Sequence, residues 1–467
     1  MERRTEQIYQ LLNWKLMKRE KTRTMSKQER RKVEVSMMNS EQKEVTNMQA
    51  DNRLLEEMLS NENLNKAFLQ VVKNKGAEGV DGMKYSELKD YLKEHGEEIK
   101  EQIRARKYKP KPVRRVEIPK ADGGVRNLGV PTVLDRFIQQ AITQVLTPIY
   151  EPIFNDNSYG FRPNRCCEMA ILKALEYMND GFQWVVDIDL EKFFDNVHHD
   201  KLITLVMKNV KSGEIVSLIR KFLVSGIMID NEYKESVIGT PQGGNLSPLL
   251  SNIVLNELDK ELEARGLRFT RYADDCIILV GSSKAADRVM ENVSNFIEKK
   301  LGLKVNMTKS KVSKPNDIKY LGFGFFKDRN DGLWKARPHE KSIKKLKIKL
   351  RELTKRSWSV NMDYRLEKLK QVIVGWVNYY RIGYFKTKAI QIDKNIRLRL
   401  RMCIWKQWKT PALKKLGMEE WKSKTWANTR KSYARCATSF LQIAIPNNLL
   451  KKRGLVSLLD QYQLKHI

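Results

Sequence analysis

The stretch Arg271-Tyr272-Ala273-Asp274-Asp275-Cys276-Ile277-Ile278-Leu279-Val280 decides how the chain is read. Two acids interrupt an apolar run, the pattern of a hairpin with carboxylates at its tip. A bare Asp pair usually marks a solvated turn. Between apolar strands that reading weakens, because an unpaired carboxylate there costs several kcal/mol of desolvation unless a cation neutralises it.

A second acidic strand lies upstream. In residues 183–190, Trp184, Val186, Ile188 and Leu190 share one face and Val185, Asp187 and Asp189 the other. Both acids are candidates, with Asp189 at the strand's exit, shortly before Phe194. Helical periodicity occupies about 200–225, 246–265 and 284–300, and a further strand is expected near Lys319-Tyr320-Leu321-Gly322-Phe323. The alternation argues an α+β fold with helices against one mixed sheet. Nearer the start, Leu54, Leu55, Met58, Leu59, Leu64, Phe68, Val71 and Val72 repeat at helical spacing up to Gly76. A second helix covers about 85–106. A hairpin lined with basic side chains then turns at Asp122-Gly123-Gly124, followed by a long helix over about 133–150.

The 467 residues suggest about three domains at roughly 150 residues each. With 88 Lys and Arg against 56 Asp and Glu, the formal charge is +32, which calls for a polyanionic partner. Nucleic acid suits this better than an anionic membrane surface, because neutralising phosphates releases counterions. Residues 331–467 hold 33 Lys or Arg, 9 Asp or Glu and seven of the nine tryptophans, so +24 of the charge sits there. Helices are expected at about 339–356, 361–383 and 389–408, then a less regular tail. Residues 1–50 read as a basic extension, disordered or helical, with an amphipathic stretch from Ile8 to Met17. The five cysteines, Cys166, Cys167, Cys276, Cys403 and Cys436, form no Cys-x-x-Cys pair and suggest neither zinc finger nor disulfide framework. No apolar run approaches the roughly 20 residues of a membrane span, and no secretory signal is seen, so a cytoplasmic protein is expected.

Carboxylates on neighbouring strands suit hard divalent ions, which keep water and phosphate oxygens as remaining ligands. Two such ions are what nucleotidyl transfer requires. Around the acids stand Gly79-Val80-Asp81-Gly82, Arg115-Val116-Glu117-Ile118-Pro119-Lys120, Gly129-Val130-Pro131-Thr132 and Tyr159-Gly160-Phe161-Arg162-Pro163-Asn164-Arg165. They continue with Asp189-Leu190-Glu191-Lys192-Phe193-Phe194-Asp195, Gly239-Thr240-Pro241-Gln242-Gly243-Gly244-Asn245-Leu246-Ser247-Pro248, Tyr272-Ala273-Asp274-Asp275 and Tyr320-Leu321-Gly322-Phe323. In this order they resemble the group II intron reverse transcriptases, particularly the compact bacterial class IIC enzymes, from about Asn63 onward.

The resemblance implies a right-hand polymerase with fingers, a palm on a mixed or antiparallel sheet, and an α-helical thumb. Residues 51–325 would be fingers and palm, with 51–82 covering the template; 331–410 the thumb, or maturase domain X; and 411–467 a basic DNA-binding region. Asp189, Asp274 and Asp275 are implied as ligands of two Mg2+ ions, with Mn2+ as a substitute, favouring Asp189 over Asp187. Phe194, by itself a core aromatic, is implied as the gate that excludes a 2′-hydroxyl. Lys120 and Arg126, otherwise a solvated basic hairpin, would grip the triphosphate. Gln242, otherwise part of a plain turn, would stand at the nascent base pair. Lys309, otherwise a surface lysine, would approach the triphosphate. The implied partners are group II intron RNA, an RNA template with DNA primer, target DNA and dNTPs. No His and paired-Cys endonuclease motif is seen, so second-strand nicking is not expected. A splicing-only maturase and a retron or defence reverse transcriptase are the alternatives.

Overall fold

The computed structural model describes residues 53–119, 124–230, 232–241, 243–408, 410, 412–413, 416 and 439–465. The expected extension over 1–50, the hairpin tip with Lys120, Gln242, and most of 411–438 lie outside the described residues. The fold is α+β and separates into two compact units, one of residues 1–153 and 197–253, the other of residues 154–196 and 254–467.

In the first unit the helical stretch expected as one piece is two. Residues 53–59 are helical, and α1 (Asn61–Asn74) starts afresh because the Ser60 side chain accepts from Asn63 N at 3.2 Å, satisfying one of the free N–H groups of a helix start. After α2 (Leu88–Arg104), β1 (Val113–Pro119) and β2 (Val125–Val130) form the expected hairpin, with Arg114 opposite Val130 and Pro119 opposite Val125. α3 (Val133–Tyr150) is capped by Thr132, whose hydroxyl accepts from Asp135 N at 3.1 Å. The helical region expected over 200–225 splits into α5 (His199–Asn209) and α6 (Gly213–Leu223), because Ser212 caps the second; the preceding helix, α4 (Cys167–Asn179), belongs to the second unit. β4 (Ile227–Ile229) runs parallel to β1 and antiparallel to β5 (Glu232–Lys234), giving a mixed sheet in the order β2-β1-β4-β5.

The second unit holds a separate four-stranded antiparallel sheet and a two-stranded one, so in place of the single mixed sheet expected there are three among the described residues. The four strands are β3 (Trp184–Ile188), β6 (Arg268–Tyr272), β7 (Asp275–Val280) and β8 (Lys311–Ser313), in the order β6-β7-β3-β8. α7 (Ser247–Ala264) precedes β6, and α8 (Ser283–Phe296) follows β7. The strand expected near Lys319 begins later. Leu321 (φ 47°) and Gly322 (φ 84°) make a tight turn into β9 (Phe323–Lys327), which pairs with β10 (Trp334–Pro338). Only Gly fits position 322, because a Cβ there would come within 2.7 Å of the Tyr380 hydroxyl.

Beyond β10 come α9 (Glu340–Leu353), α10 (Met362–Tyr380) and α11 (Lys386–Gln407), close to the expected spans. Leu346, Leu350, Leu366, Leu369, Ile373, Leu400 and Ile404 are their buried stripe. Trp405 is buried, and Trp334, Trp358, Trp376 and Trp408 are half-buried against the same core. The tail expected to be less regular contains α12 (Ser439–Ala444), α13 (Asn447–Lys452) and α14 (Leu458–Lys465), each too short to show a helical period in sequence. Leu441, Leu450, Leu458 and Tyr462 complete the core shared by α10 and α11. Buried Asp393 on α11 caps α14, accepting from Leu458 N at 2.9 Å, Leu459 N at 3.1 Å and Ser457 Oγ at 2.6 Å. Among the described residues no helix is long and apolar enough to cross a membrane.

Asp393→Ala removes all three hydrogen bonds together. It should destabilise the second unit by about 2 kcal/mol, read as a lower urea midpoint in tryptophan fluorescence.

Candidate active site

The acids of the opening stretch stand where β6 turns into β7. Tyr272 pairs with Asp275, leaving Ala273 and Asp274 as the turn. Ala273 has φ 56°, a left-handed conformation that costs an L-residue of order 1 kcal/mol. The guanidinium of Arg271 holds that turn. Its Nη1 donates to the Ala273 carbonyl at 2.9 Å, its Nη2 to Ser158 Oγ at 2.7 Å, and its Nε to Asp259 Oδ1 of α7 at 2.7 Å. Both charged side chains are 0% exposed.

The chain before α4 braces the same turn. Tyr159 N donates to the Arg271 carbonyl at 2.8 Å, and Arg271 N to the Asn157 carbonyl at 2.9 Å. Gly160 then passes so close that a Cβ would fall 2.2 Å from Ala273 N. That explains the glycine in Tyr159-Gly160-Phe161-Arg162. Sequence reasoning assigned no role to Gly160, Arg271 or Asp259; the available signal was a glycine inside a motif, whereas Asp259 stands among Glu257, Lys260, Glu261 and Glu263 and gave none.

Asp187 lies within β3, opposite Ile277 on β7 and Lys311 on β8. Asp189 follows the strand, where its N–H donates to Ser310 Oγ at 3.0 Å and its carbonyl accepts from Asn306 N at 2.8 Å. The Asn306–Ser310 turn that pins Asp189 also carries Lys309. Ser310 was not anticipated from sequence.

The acids sense one another. The Asp275 carboxyl is pushed up to about 6, first by lost hydration among surrounding chain, then by the charges of Asp274, Asp187 and Asp189, although part of its side chain stays open to solvent. Asp187 is likewise pushed up to about 6, mainly by burial, with Lys311 opposing and Asp189 adding. Among the described residues no three His, Cys, Asp or Glu side chains stand together as a ready metal cage. The donor chemistry nevertheless suits a hard divalent ion, since such ions prefer carboxylate oxygens and Mg2+ completes its shell with water and substrate phosphate.

Phe193 and Phe194 form one turn of helix just beyond Asp189. Phe193 is buried and takes the core position; Phe194 is half-buried, its ring 5.2 Å from that of Phe193 in an edge-on contact. Asp189, Asp274, Asp275, Phe194 and Lys309 thus belong to the second unit, whereas Arg126, exposed on β2 opposite Ile118, belongs to the first.

An acid-tipped antiparallel hairpin paired with an acid-ended strand, within this α+β fold, defines the palm of a right-hand polymerase. Comparison with known proteins agrees. Residues 118–325 match the family model "Reverse transcriptase (RNA-dependent DNA polymerase)", and residues 343–432 match "Group II intron, maturase-specific domain". Protein YkfC of Escherichia coli (strain K12) is 32% identical over 319 residues, 60% of this chain and 84% of that protein. The group II intron-encoded protein LtrA of Lactococcus lactis subsp. cremoris is 39% identical over 212 residues, 45% of this chain and 35% of LtrA. A putative COX1/OXI3 intron 2 protein of Saccharomyces cerevisiae is 30% identical over 333 residues, 58% of this chain and 37% of that protein. The chain belongs to the group II intron-encoded reverse transcriptases and maturases, RNA-directed DNA polymerases that depend on divalent cations. It spans about a third of the length of LtrA, and most of YkfC.

The raised Asp187 has a pH consequence. Its protonated form stabilises the fold fully below the ordinary value of 3.8, and that contribution is lost as pH rises through about 6. Asp187→Asn should therefore raise the melting temperature of metal-free protein at pH 7.5 by a few degrees, with the gain vanishing as pH is lowered to 4. A pH-independent difference would contradict the assignment.

Proposed function

We propose that the chain extends a DNA primer on an RNA template, with Asp189, Asp274 and Asp275 as ligands for two Mg2+ ions and Mn2+ as a substitute. The observation that carries this reading is the Ala273-Asp274 turn, held in a strained conformation by a buried Arg271–Asp259 pair in the same unit as Asp189. Bound at these carboxylates, the ions would supply the Lewis acidity that activates a primer 3′-hydroxyl and neutralises the leaving oxygens. The chain's own residues do the positioning. Lys120 and Arg126 grip the dNTP triphosphate through charge-assisted hydrogen bonds, Lys309 adds a cation beside Asp189, and Gln242 contacts the nascent pair. Phe194 closes on the sugar and excludes a 2′-hydroxyl.

The basic helices over 331–410 serve as thumb and maturase domain X, holding primer–template duplex and group II intron RNA through phosphates. Residues 51–82 cover the template, and 411–467 contact target DNA. Together these activities assist splicing and then copy the intron after it enters DNA. Retention of the carboxylates, which a splicing-only maturase does not need, supports polymerase activity over that alternative.

Primer extension on an RNA template with Mg2+ tests the proposal: wild type should make DNA, and a variant with both Asp274→Ala and Asp275→Ala should fall to background. No product from wild type would sink the polymerase claim, and equal synthesis by the variant would sink the site. Phe194→Ala should lower discrimination against ribonucleotides by about tenfold or more in single-nucleotide insertion, the scale expected when a steric wall is removed; unchanged discrimination would reject the gate.

A further inference from the structure

We propose that Ser310 is a positioning residue for the carboxylate site: it fixes Asp189 where the β3–β8 ladder loses its register, and couples that residue to the turn carrying Lys309. This rests on the reading of Asp189 as a metal ligand given above. Asp189, Lys309 and Ser310 all belong to the second unit.

The ladder shows why a side chain is needed here. Val185, Val186 and Asp187 of β3 stand opposite Ser313, Val312 and Lys311 of β8. Beyond β3, Leu190 bridges to Val305, and Glu191 N donates to the Lys304 carbonyl at 2.8 Å. Three steps along one side, from Asp187 to Leu190, are therefore answered by six along the other, from Lys311 to Val305, so three extra residues are looped out. Burial of Ile188 and Leu190 on one side and of Val305 on the other holds both ends of the break. Asp189 falls between them, where an unbroken ladder would have supplied its partners from the backbone.

The backbone opposite is already spent. Lys309 N and Ser310 N both donate to the Asn306 carbonyl, at 3.1 and 2.8 Å, and Thr308 Oγ1 donates to Asn306 Oδ1 at 2.7 Å. Met307, Thr308 and Lys309 are thereby turned out and exposed. The Ser310 hydroxyl stands in for the missing carbonyl. Its Oγ accepts from Asp189 N at 3.0 Å and donates to the Asp189 carbonyl at 3.4 Å, to which Asn306 N also donates at 2.8 Å. A hydroxyl can accept and donate at once, so one side chain grips both backbone polar groups of Asp189. The carboxylate that leaves the ladder and the cation beside it are thus set by the same turn. Removing the hydroxyl should loosen metal and triphosphate together and leave the fold of β3 and β8 in place.

The test is Mn2+ binding by the full-length protein without nucleotide, followed by electron paramagnetic resonance, beside single-nucleotide insertion on an RNA template. Ser310→Ala should weaken Mn2+ binding about fivefold, the scale of one hydrogen bond. It should raise the dNTP KM by a similar factor, with kcat at saturating Mn2+ within about twofold of wild type. Ser310→Thr, which keeps the hydroxyl, should restore both. Unchanged Mn2+ binding in Ser310→Ala, or a loss of binding and kcat alike that Thr does not reverse, overturns the inference. If Ser310→Ala fails to fold, Ser310→Cys carries the same measurement, because a thiol donates and accepts only weakly: Mn2+ binding should weaken, and wild-type affinity overturns the proposal. Asp189→Ala separates the two readings. Mn2+ binding untouched by that variant refutes Asp189 as a ligand, whereas loss there beside an insensitive Ser310 series refutes this inference alone.

Discussion

The contact between Arg271 and Asp259 is what the acid-tipped hairpin depends on. Two opposite charges with no exposure are costly apart and tolerable only together, since removing one partner of such a pair typically costs about 3–5 kcal/mol. The same guanidinium reaches the Ala273 carbonyl, so an unfavourable backbone conformation is tied to an ion pair that cannot relax by moving into water. Gly160 closes the remaining space from the other side. Asp274 and Asp275 can repel each other without opening the turn, because the turn's geometry is set by a helix, a strand and an incoming loop at once.

Much of this was visible beforehand. The hairpin of β1 and β2 was legible from its alternation and turn glycines and α3 from its periodicity, and the structure gives α3 the expected limits. The acids on β3 and β7 were legible because they break apolar runs. What sequence left open was local competition and distant packing. Ser60 and Ser212 end helices that hydropathy alone would continue, because a hydroxyl that caps is indistinguishable by composition from one on a surface. Tyr320-Leu321-Gly322 reads as strand but turns, since its conformation answers to the Tyr380 and Ser342 hydroxyls some 20 to 60 positions away. Asp187 and Asp189 share a face in any strand reading; only pairing with β8 puts Asp187 beside Lys311 and Asp189 beyond the ladder.

Charge is distributed with similar economy. The second unit carries both the crowded acids and most of the excess positive charge, +24 of which lies beyond residue 330. A polyanion is drawn in by many dispersed cations acting through phosphates.

The burial of α12 to α14 has a consequence for how the protein is made. Leu441, Leu450, Leu458 and Tyr462 belong to the same apolar cluster as Val185 of β3 and Ile277 of β7, which lie well over a hundred residues earlier. The sheet bearing the carboxylates therefore lacks part of its core until the last helix leaves the ribosome. A chain released early would expose that cluster and enter the pool that chaperones and proteases remove, so truncated products are filtered at the folding step.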